Sequence, residues 1–396
     1  MTERLYYRDS TLLEFTARVT GVEEIDDRYR VRLGQSAFYP TSGGQLFDTG
    51  ELSGGRVIEV IEEGGEILHV MERKPPFAVG DEVTGKIDLP RRRDNMQKHT
   101  GQHILSRSLT NICQATTISS RLGEEDCTVD VDRDFLSTDQ LAEAESLANV
   151  VIFENRPVSI EFVPYEKLRE FPLRKIPERE EGPYRLIEVK GFDWSACGGT
   201  HCLSSGSVGI IKITGREKIR GNFRIHFLTG LMALGDYRWR HEQIEHISAL
   251  FTRHGRESLA GVKNLIEDNN LLRRKVAELK RELLPTQAEK WFREAVEVGG
   301  CKVIALDLSG EDLKDVKELA LGIIHRYSAV ALIGVDDKLL VAVSEGLPHS
   351  ASEIVQRAAA RLGGRGGGSP QLAQGGGFAK DDLKELLAAP EGFLVH

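Results

Sequence analysis

Two short pairs of metal-type residues stand about a hundred positions apart, His99-Thr-Gly-Gln-His103 and Cys197-Gly-Gly-Thr-His201. Together they offer one thiolate and three imidazoles, a complete donor set for tetrahedral Zn²⁺. Histidines four apart on a helix share one face, with Cβ atoms about 5–6 Å apart. Cys197 and His201 bracket Gly198 and Gly199, which permit a tight turn that folds both side chains toward one point. Taken singly, each pair reads equally well as one buried and one exposed side chain. Jointly they point to a shared zinc. No glutamate follows His99, so this is not the His-Glu-x-x-His arrangement of zinc proteases.

The elements that must position these residues follow from hydrophobic period. Residues 1–90 alternate in short runs, Glu14–Val19, Tyr29–Leu33, Val57–Val60 and Ile67–Val70, broken by Gly turns. This predicts a small β-barrel. From Arg92 to about Asn111 the apolar residues Met96, Ile104, Leu105 and Leu109 take a helical spacing, so the first pair sits on a helix. A strand (128–131), a helix (138–155) and a strand (158–163) follow, and 164–183 reads as a mobile loop rich in Pro, Glu and Arg. Strands at 184–189 and 209–213 flank the second pair, with another at 224–227. In 236–290, Val262, Asn269, Val276 and Leu283 recur every seven residues, with Leu265, Leu272 and Leu279 between them. That is a heptad seam with one polar position, and it predicts a coiled-coil dimer through 259–284 that Pro285 kinks or ends. The bland alternative is a helix packed on its own chain. Residues 291–396 alternate strands and helices and carry the glycine-rich runs Gly363–Pro370 and Gly375–Gly377. The expected fold class is therefore α+β multidomain, with boundaries at 1–90, 91–235, 236–290 and 291–396.

The chain has 396 residues, a net charge of -9 and five scattered cysteines. An odd, dispersed set of thiols is no disulfide framework and suggests a reducing cytosol. No apolar N-terminal stretch or bilayer-length run is visible, so the expectation is a soluble cytoplasmic protein. A polyanionic partner would have to meet a local basic surface. Arg216, Lys218, Arg220 and Arg224, with Arg238 and Arg240 beyond them, form one such cluster. Arg91, Arg92, Arg93 and Lys98 form another. Either cluster reads as a phosphate-contacting surface or as a solvated face. Arg365 among its glycines is a weaker candidate, in what is otherwise a flexible loop.

The order His-x-x-x-His then Cys-x-x-x-His resembles the editing domain of alanyl-tRNA synthetases and the freestanding alanyl-tRNA editing proteins of the AlaX family. Phe38-Tyr-Pro-Thr-Ser-Gly-Gly-Gln45 with Asp48-Thr-Gly50 resembles that family's glycine-rich motif, and Gly191-Phe-Asp193 before Cys197 resembles its second metal motif. The resemblance covers roughly residues 5–235. The helical segment and the glycine-rich, DHHA1-like C-terminal domain extend it over nearly the whole chain. Two positions depart from the pattern: Ser42 replaces the first glycine of a triplet, and Arg121 stands where a histidine is common.

The resemblance implies a zinc-dependent editing domain in 91–235 and a trans-acting deacylase. Its substrate would be alanine tRNA mischarged with serine or with glycine. Hydrolysing the aminoacyl ester needs an activated water and a polarised carbonyl, which Zn²⁺ with an open position supplies. Alternatively the metal holds the substrate's amino group while a second water attacks. Backbone N–H groups of Gly43 and Gly44 are candidates for orienting the ester, against an ordinary glycine turn. Thr117 and Ser119 are candidates for the hydrogen bond that tells serine from alanine, against hydroxyls satisfied by backbone. The competing readings are a zinc-stabilised tRNA-binding module without catalysis and a phosphoesterase. The sequence carries no Asp-His-His motif, which counts against the phosphoesterase.

Overall fold

Alternation of buried and exposed side chains starts at Glu14 and builds the first sheet. The structure is a computed structural model that describes residues 1–178, 182–219, 221–251 and 255–394. Its opening strands are β1 (Glu3–Arg4), β2 (Glu14–Ile25), β3 (Arg28–Leu33), β4 (Gln35–Ser36), β5 (Gly50–Leu52), β6 (Gly55–Glu63), β7 (Glu66–Met71) and β8 (Glu82–Ile87). Six of them close into a barrel in the order β2-β3-β7-β6-β5-β8. The pairing of Glu14 with Lys86 and its neighbours joins the last strand to the first. Val19, Val31, Phe38, Leu52, Val57 and Ile67 fill the interior.

Helix α1 (Leu89–Cys113) leaves the barrel with Asp88 extended at its N-cap and Pro90 in its first turn, where a missing N–H costs nothing. Its composition is polar, yet Arg92, Asn95, Lys98, His99, Gln102, His103 and Ser106 are all buried. Each buried polar group therefore needs a partner. Arg92 finds Asp48, with Nη2 at 2.6 Å from Oδ2, and also donates to the carbonyls of Ser10 and Ala37. Asp48 accepts in turn from the Tyr39 N–H. This buried ion pair pins the loop after β4 onto α1. It also corrects one expectation. Arg92 is buried, Lys98 is spent on Gly123 O and Asp94, and Arg91 pairs with Glu124. Arg91, Arg92 and Lys98 are thus already partnered, and Arg93 is the exposed cation of this cluster.

Next come β9 (Thr117–Leu122), β10 (Cys127–Val131), α2 (Thr138–Phe153), β11 (Val158–Pro164), β12 (Pro183–Val189), β13 (Asp193–Ala196), β14 (Ile211–Ile219), β15 (Asn222–Thr229) and α3 (Gly230–Leu250). Ser137 and Gln140 form a reciprocal capping box at the start of α2. The sheets run β14-β15-β10-β9 and β11-β12-β13. Leu105 and Leu109 of α1 and Ala144 and Ala148 of α2 share a core with Val129, Ile225 and Phe227. The 164–183 segment contains a 3-10 turn at Tyr165–Glu170, and Leu168 is buried there.

The chain divides into two compact units, Met1–Leu250 and Phe251–His396. The second holds α4 (Ser258–Glu294), β16 (Val296–Val298), β17 (Cys301–Asp307), α5 (Leu313–Arg326), β18 (Ala329–Val335), β19 (Lys338–Val343), α6 (Ala351–Leu362), β20 (Arg365–Gly368), β21 (Leu372–Gly376) and α7 (Lys380–Ala388). The sheet order is β16-β17-β18-β19-β21-β20. Pro285 does not end α4, which runs on to Glu294. The last turns are held by packing, with Ala288, Trp291 and Phe292 joining a core that includes Ile323 and Ile333. The glycine runs are ordered strands: β20 and β21 pair antiparallel from Arg365↔Gly376 to Gly368↔Ala373. No described helix is long and apolar enough to cross a membrane.

Candidate metal centre

Helix α1 carries His99 and His103 on one buried face, and the turn after β13 brings Cys197 and His201 up against it. The ligand atoms of the four side chains all lie within 4.8 Å of one another. Cys197 Sγ is 3.2 Å from His99 Nε2 and 3.4 Å from His201 Nε2. The ring centroids of the three histidines are 4.5–5.2 Å apart.

Each imidazole is turned by a partner on its far nitrogen. His99 Nδ1–H donates to Gln45 Oε1 at 2.7 Å. His201 Nδ1 lies 3.2 Å from Thr100 Oγ1, which also accepts from the Cys202 N–H. His103 Nδ1 lies 3.6 Å from Asp193 Oδ2 and makes no hydrogen bond within the described residues. The partners of His99 and His201 leave Nε2 facing the thiol, the outer-shell arrangement typical of metal-binding histidines. Burial opposes ionisation of Cys197, but the three imidazoles bring its thiol well below the ordinary value. Burial and His99 together push His201 well down. Burial lowers His103 too, but Cys197 and Asp193 outweigh it and raise the group. A thiol disposed to ionise and three converging imidazoles are donors of the type that Zn²⁺ takes, so the donor set fits this ion.

The two glycine motifs act here through backbone shape. Gly43 and Gly44, with φ of +55° and +84°, form a two-residue hairpin turn between Ser42 and Gln45. The turn docks on β9, where the Leu122 N–H donates to Gly44 O at 2.8 Å. It delivers Gln45, fully buried, to both His99 and Thr200. Gln45 Oε1 accepts from the Thr200 N–H at 3.0 Å, and its Nε2 donates to Thr200 Oγ1 at 2.9 Å. At Gly199 an added Cβ would fall 2.0 Å from His99 Cε1, so only glycine lets this backbone cross the ring. Arg185 on β12 clamps the same turn from behind, donating to the carbonyls of Cys197 and Gly199 at 2.7 and 2.9 Å.

The two candidate hydroxyls part company at a β-bulge. The β9–β10 register passes from Ser119↔Asp130 to Thr117↔Val131, skipping Ile118. Thr117 turns toward α1, donates to Ser106 Oγ at 2.8 Å and lines a cavity of about 320 Å³ beside the centre. Ser119 is absent from that cavity and donates to Asp130 Oδ2 at 2.8 Å. Of the basic candidates, Arg224 is held by Asp130 at 2.7 Å and lies 3.6 Å from Glu217. Arg216 donates to Leu136 O, and Lys218 is exposed on β14. Arg220 lies outside the described residues.

Gln45, Thr100, Asp193 and Arg185 were not assigned roles from the sequence. The available signal was their place in or beside the two motifs, as polar residues in segments otherwise destined for burial.

Four convergent His/Cys donors on an α+β domain define the class as a protein with a candidate metal centre. The family model described as Threonyl and Alanyl tRNA synthetase second additional domain matches residues 184–226, and the DHHA1 domain matches 300–395. The alanyl-tRNA editing protein AlaX-L of Pyrococcus horikoshii is 31% identical over 392 residues, which is 96% of each chain. The alanine–tRNA ligase of Pyrococcus furiosus is 32% identical over 99% of this chain and 44% of its own length. The C-Ala domain of Aquifex aeolicus alanyl-tRNA synthetase aligns with 26% of this chain and 98% of its own, at 25% identity and a TM-score of 0.24. The chain belongs to the family of alanyl-tRNA editing proteins.

Proposed function

We propose that the protein is a trans-editing deacylase that hydrolyses the aminoacyl ester of Ser-tRNA(Ala) or Gly-tRNA(Ala) in the cytoplasm. The observation that carries this reading is the convergence of Cys197 Sγ and three imidazoles beside a cavity that Thr117 lines. Zn²⁺ held by His99, His103, Cys197 and His201 would polarise an ester carbonyl or hold the substrate's α-amino group. The chain's own residues do the rest. Gln45, Thr100 and Asp193 orient the imidazoles. The Thr117 hydroxyl, now bonded to Ser106, exchanges that bond for one to the serine side chain. Alanine offers no such partner, so Thr117 keeps its bond to Ser106 and alanine gains no hydrogen bond there, which favours serine. The N–H groups of Gly43 and Gly44 remain the candidates for orienting the ester. Arg216 and Lys218 are the candidates for tRNA phosphates, since Asp130 and Glu217 already neutralise Arg224.

Four protein donors favour a second reading, a tRNA-binding module whose zinc only holds the fold, because structural zinc sites are closed by four side chains. Turnover separates the two. Purified protein should release serine from Ser-tRNA(Ala) while sparing Ala-tRNA(Ala) by roughly 10²-fold or more. Zinc removal and Cys197→Ala should each abolish release without loss of tRNA binding. Full turnover by a folded, zinc-free Cys197→Ala protein would remove the metal from the reaction.

The exposed seam on α4 supports a homodimer. Leu265, Leu272, Val276, Leu279 and Leu283 are each more than half exposed, an apolar stripe with the heptad spacing of a two-stranded coiled coil.

A further inference from the structure

Residue 185 grips the second metal turn twice. Its backbone carbonyl accepts from the Cys197 N–H at 3.0 Å, one residue beyond the Leu186↔Ala196 pair that ends the β12–β13 ladder. Its Nη1 donates to the Cys197 and Gly199 carbonyls at 2.7 and 2.9 Å, and its Nε to the Tyr7 carbonyl at 2.8 Å. Tyr7 is tied in turn to the barrel, since Arg4 Nη1 donates to its hydroxyl at 2.9 Å and Arg4 pairs with Glu62 of β6. The same hydroxyl lies 3.2 Å from where a Cβ on Gly198 would sit. A line of contacts thus runs from β6 to the turn that bears the Cys197 thiol.

The Arg185 side chain is 6% exposed, its hydrogen bonds all go to carbonyls, and Nη2 finds no acceptor among the described residues. A guanidinium buried in this way costs stability, so its place is explained by what it holds. Cys197 is the half-exposed donor of the four, the other three being buried. Two glycines follow it, and each adds backbone freedom that a fixed ligand must lose. Gly199, held through its carbonyl, sends its N–H to Cys197 Sγ at 3.4 Å. A planar fork spans three carbonyls in one fixed geometry, which a single ammonium does not. We propose that Arg185 is the positioning residue for the Cys197 ligand. Its fork holds the turn closed and keeps Sγ committed to the metal that the four donors take up. This role rests on a metal held by those donors and not on the ester hydrolysis.

Cobalt-loaded protein reports the thiolate through its sulfur-to-cobalt charge-transfer band and the histidines through the visible d–d bands. Cys113, Cys127, Cys202 and Cys301 are buried, so iodoacetamide followed by mass spectrometry reads Cys197. Arg185→Lys keeps the charge and loses the fork, and Arg185→Gln loses both. In each, the charge-transfer band should weaken while the visible bands persist, a selective loss that general destabilisation does not produce. Metal release into a chelator should quicken by about 10–100-fold, and alkylation of Cys197 in the loaded protein should rise with it. Urea midpoints establish that the variants are folded. A folded Arg185→Lys protein with the native band and native protection of Cys197 overturns the assignment. In NMR spectra of the native protein the Arg185 Nε–H should exchange slowly. Exchange as fast as in exposed arginines overturns the clamp even where neither variant folds. A native cobalt form without the sulfur band removes the metal ligand and the role of Arg185 together. A native protein that shows the band but does not hydrolyse Ser-tRNA(Ala) overturns the deacylase reading alone and leaves the variants to decide the role of Arg185.

Discussion

Gln45 shows most clearly what one side chain contributes to this centre. Its carbonyl oxygen takes the His99 Nδ1 proton and the Thr200 N–H, and its amide nitrogen donates to the Thr200 hydroxyl. It therefore sets the His99 tautomer and ties the barrel loop to the second metal turn. Losing a partner of this kind lowers metal affinity by about 10–100-fold. Gln45→Ala should show that loss in competition with a zinc-binding dye while retaining the native fold. Affinity equal to the native protein would mean that packing alone orients His99. The four donors were legible as residue types at a telling spacing. Gln45 was not, because a glutamine in a glycine-rich loop has no periodicity and no chemistry of its own until the turn aims it.

At the scale of elements, α1 is the informative case. Its apolar residues predicted a helix, and the structure extends it to Leu89–Cys113. The buried polar face, however, is intelligible only from the barrel loop, β13 and the second metal turn that surround it. The bulge at Ile118 is similar, since one skipped residue sends Thr117 toward the cavity and Ser119 toward Asp130. Alternation within one strand cannot reveal a register shift against another. The barrel also carries a pH-dependent element. His69 on β7 is fully buried between Val31 O and Ser36 Oγ, and burial pushes it down to about 4. The unfolded chain, with an ordinary imidazole near 6.5, takes up the proton first. The contribution of neutral His69 to stability is therefore full above about pH 6.5 and is lost as pH falls toward 4, by about 3 kcal/mol. Urea midpoints of the native protein should fall more steeply over that window than those of His69→Gln. Parallel slopes would show that His69 is not the group responsible.

For the molecule as a whole, the matter to decide is association. The heptad pattern reads identically for a helix packed on its own chain and for one waiting for a partner. In the second unit, the α4 seam is exposed from Leu265 to Leu283, whereas beyond Pro285 the same helix packs its own core through Ala288. That contrast within one helix favours a second copy as the seam's partner. Sedimentation velocity should give twice the chain mass for the native protein and the single-chain mass for Leu272→Glu/Leu279→Glu. A native protein sedimenting as a single chain would withdraw the dimer.

The sequence by itself determined the donor set, the helix that carries half of it, the short barrel strands and the family resemblance. All of these are local: residue type, spacing and period act within one segment. Tertiary structure decided which cations were free, which hydroxyl faced the cavity, which side chains oriented the imidazoles, and that Gly363–Gly377 forms strands. Those outcomes depend on partners distant in sequence, such as Arg92 with Asp48 and Gln45 with Thr200. Burial makes each partner obligatory, but only the folded chain specifies which one it is.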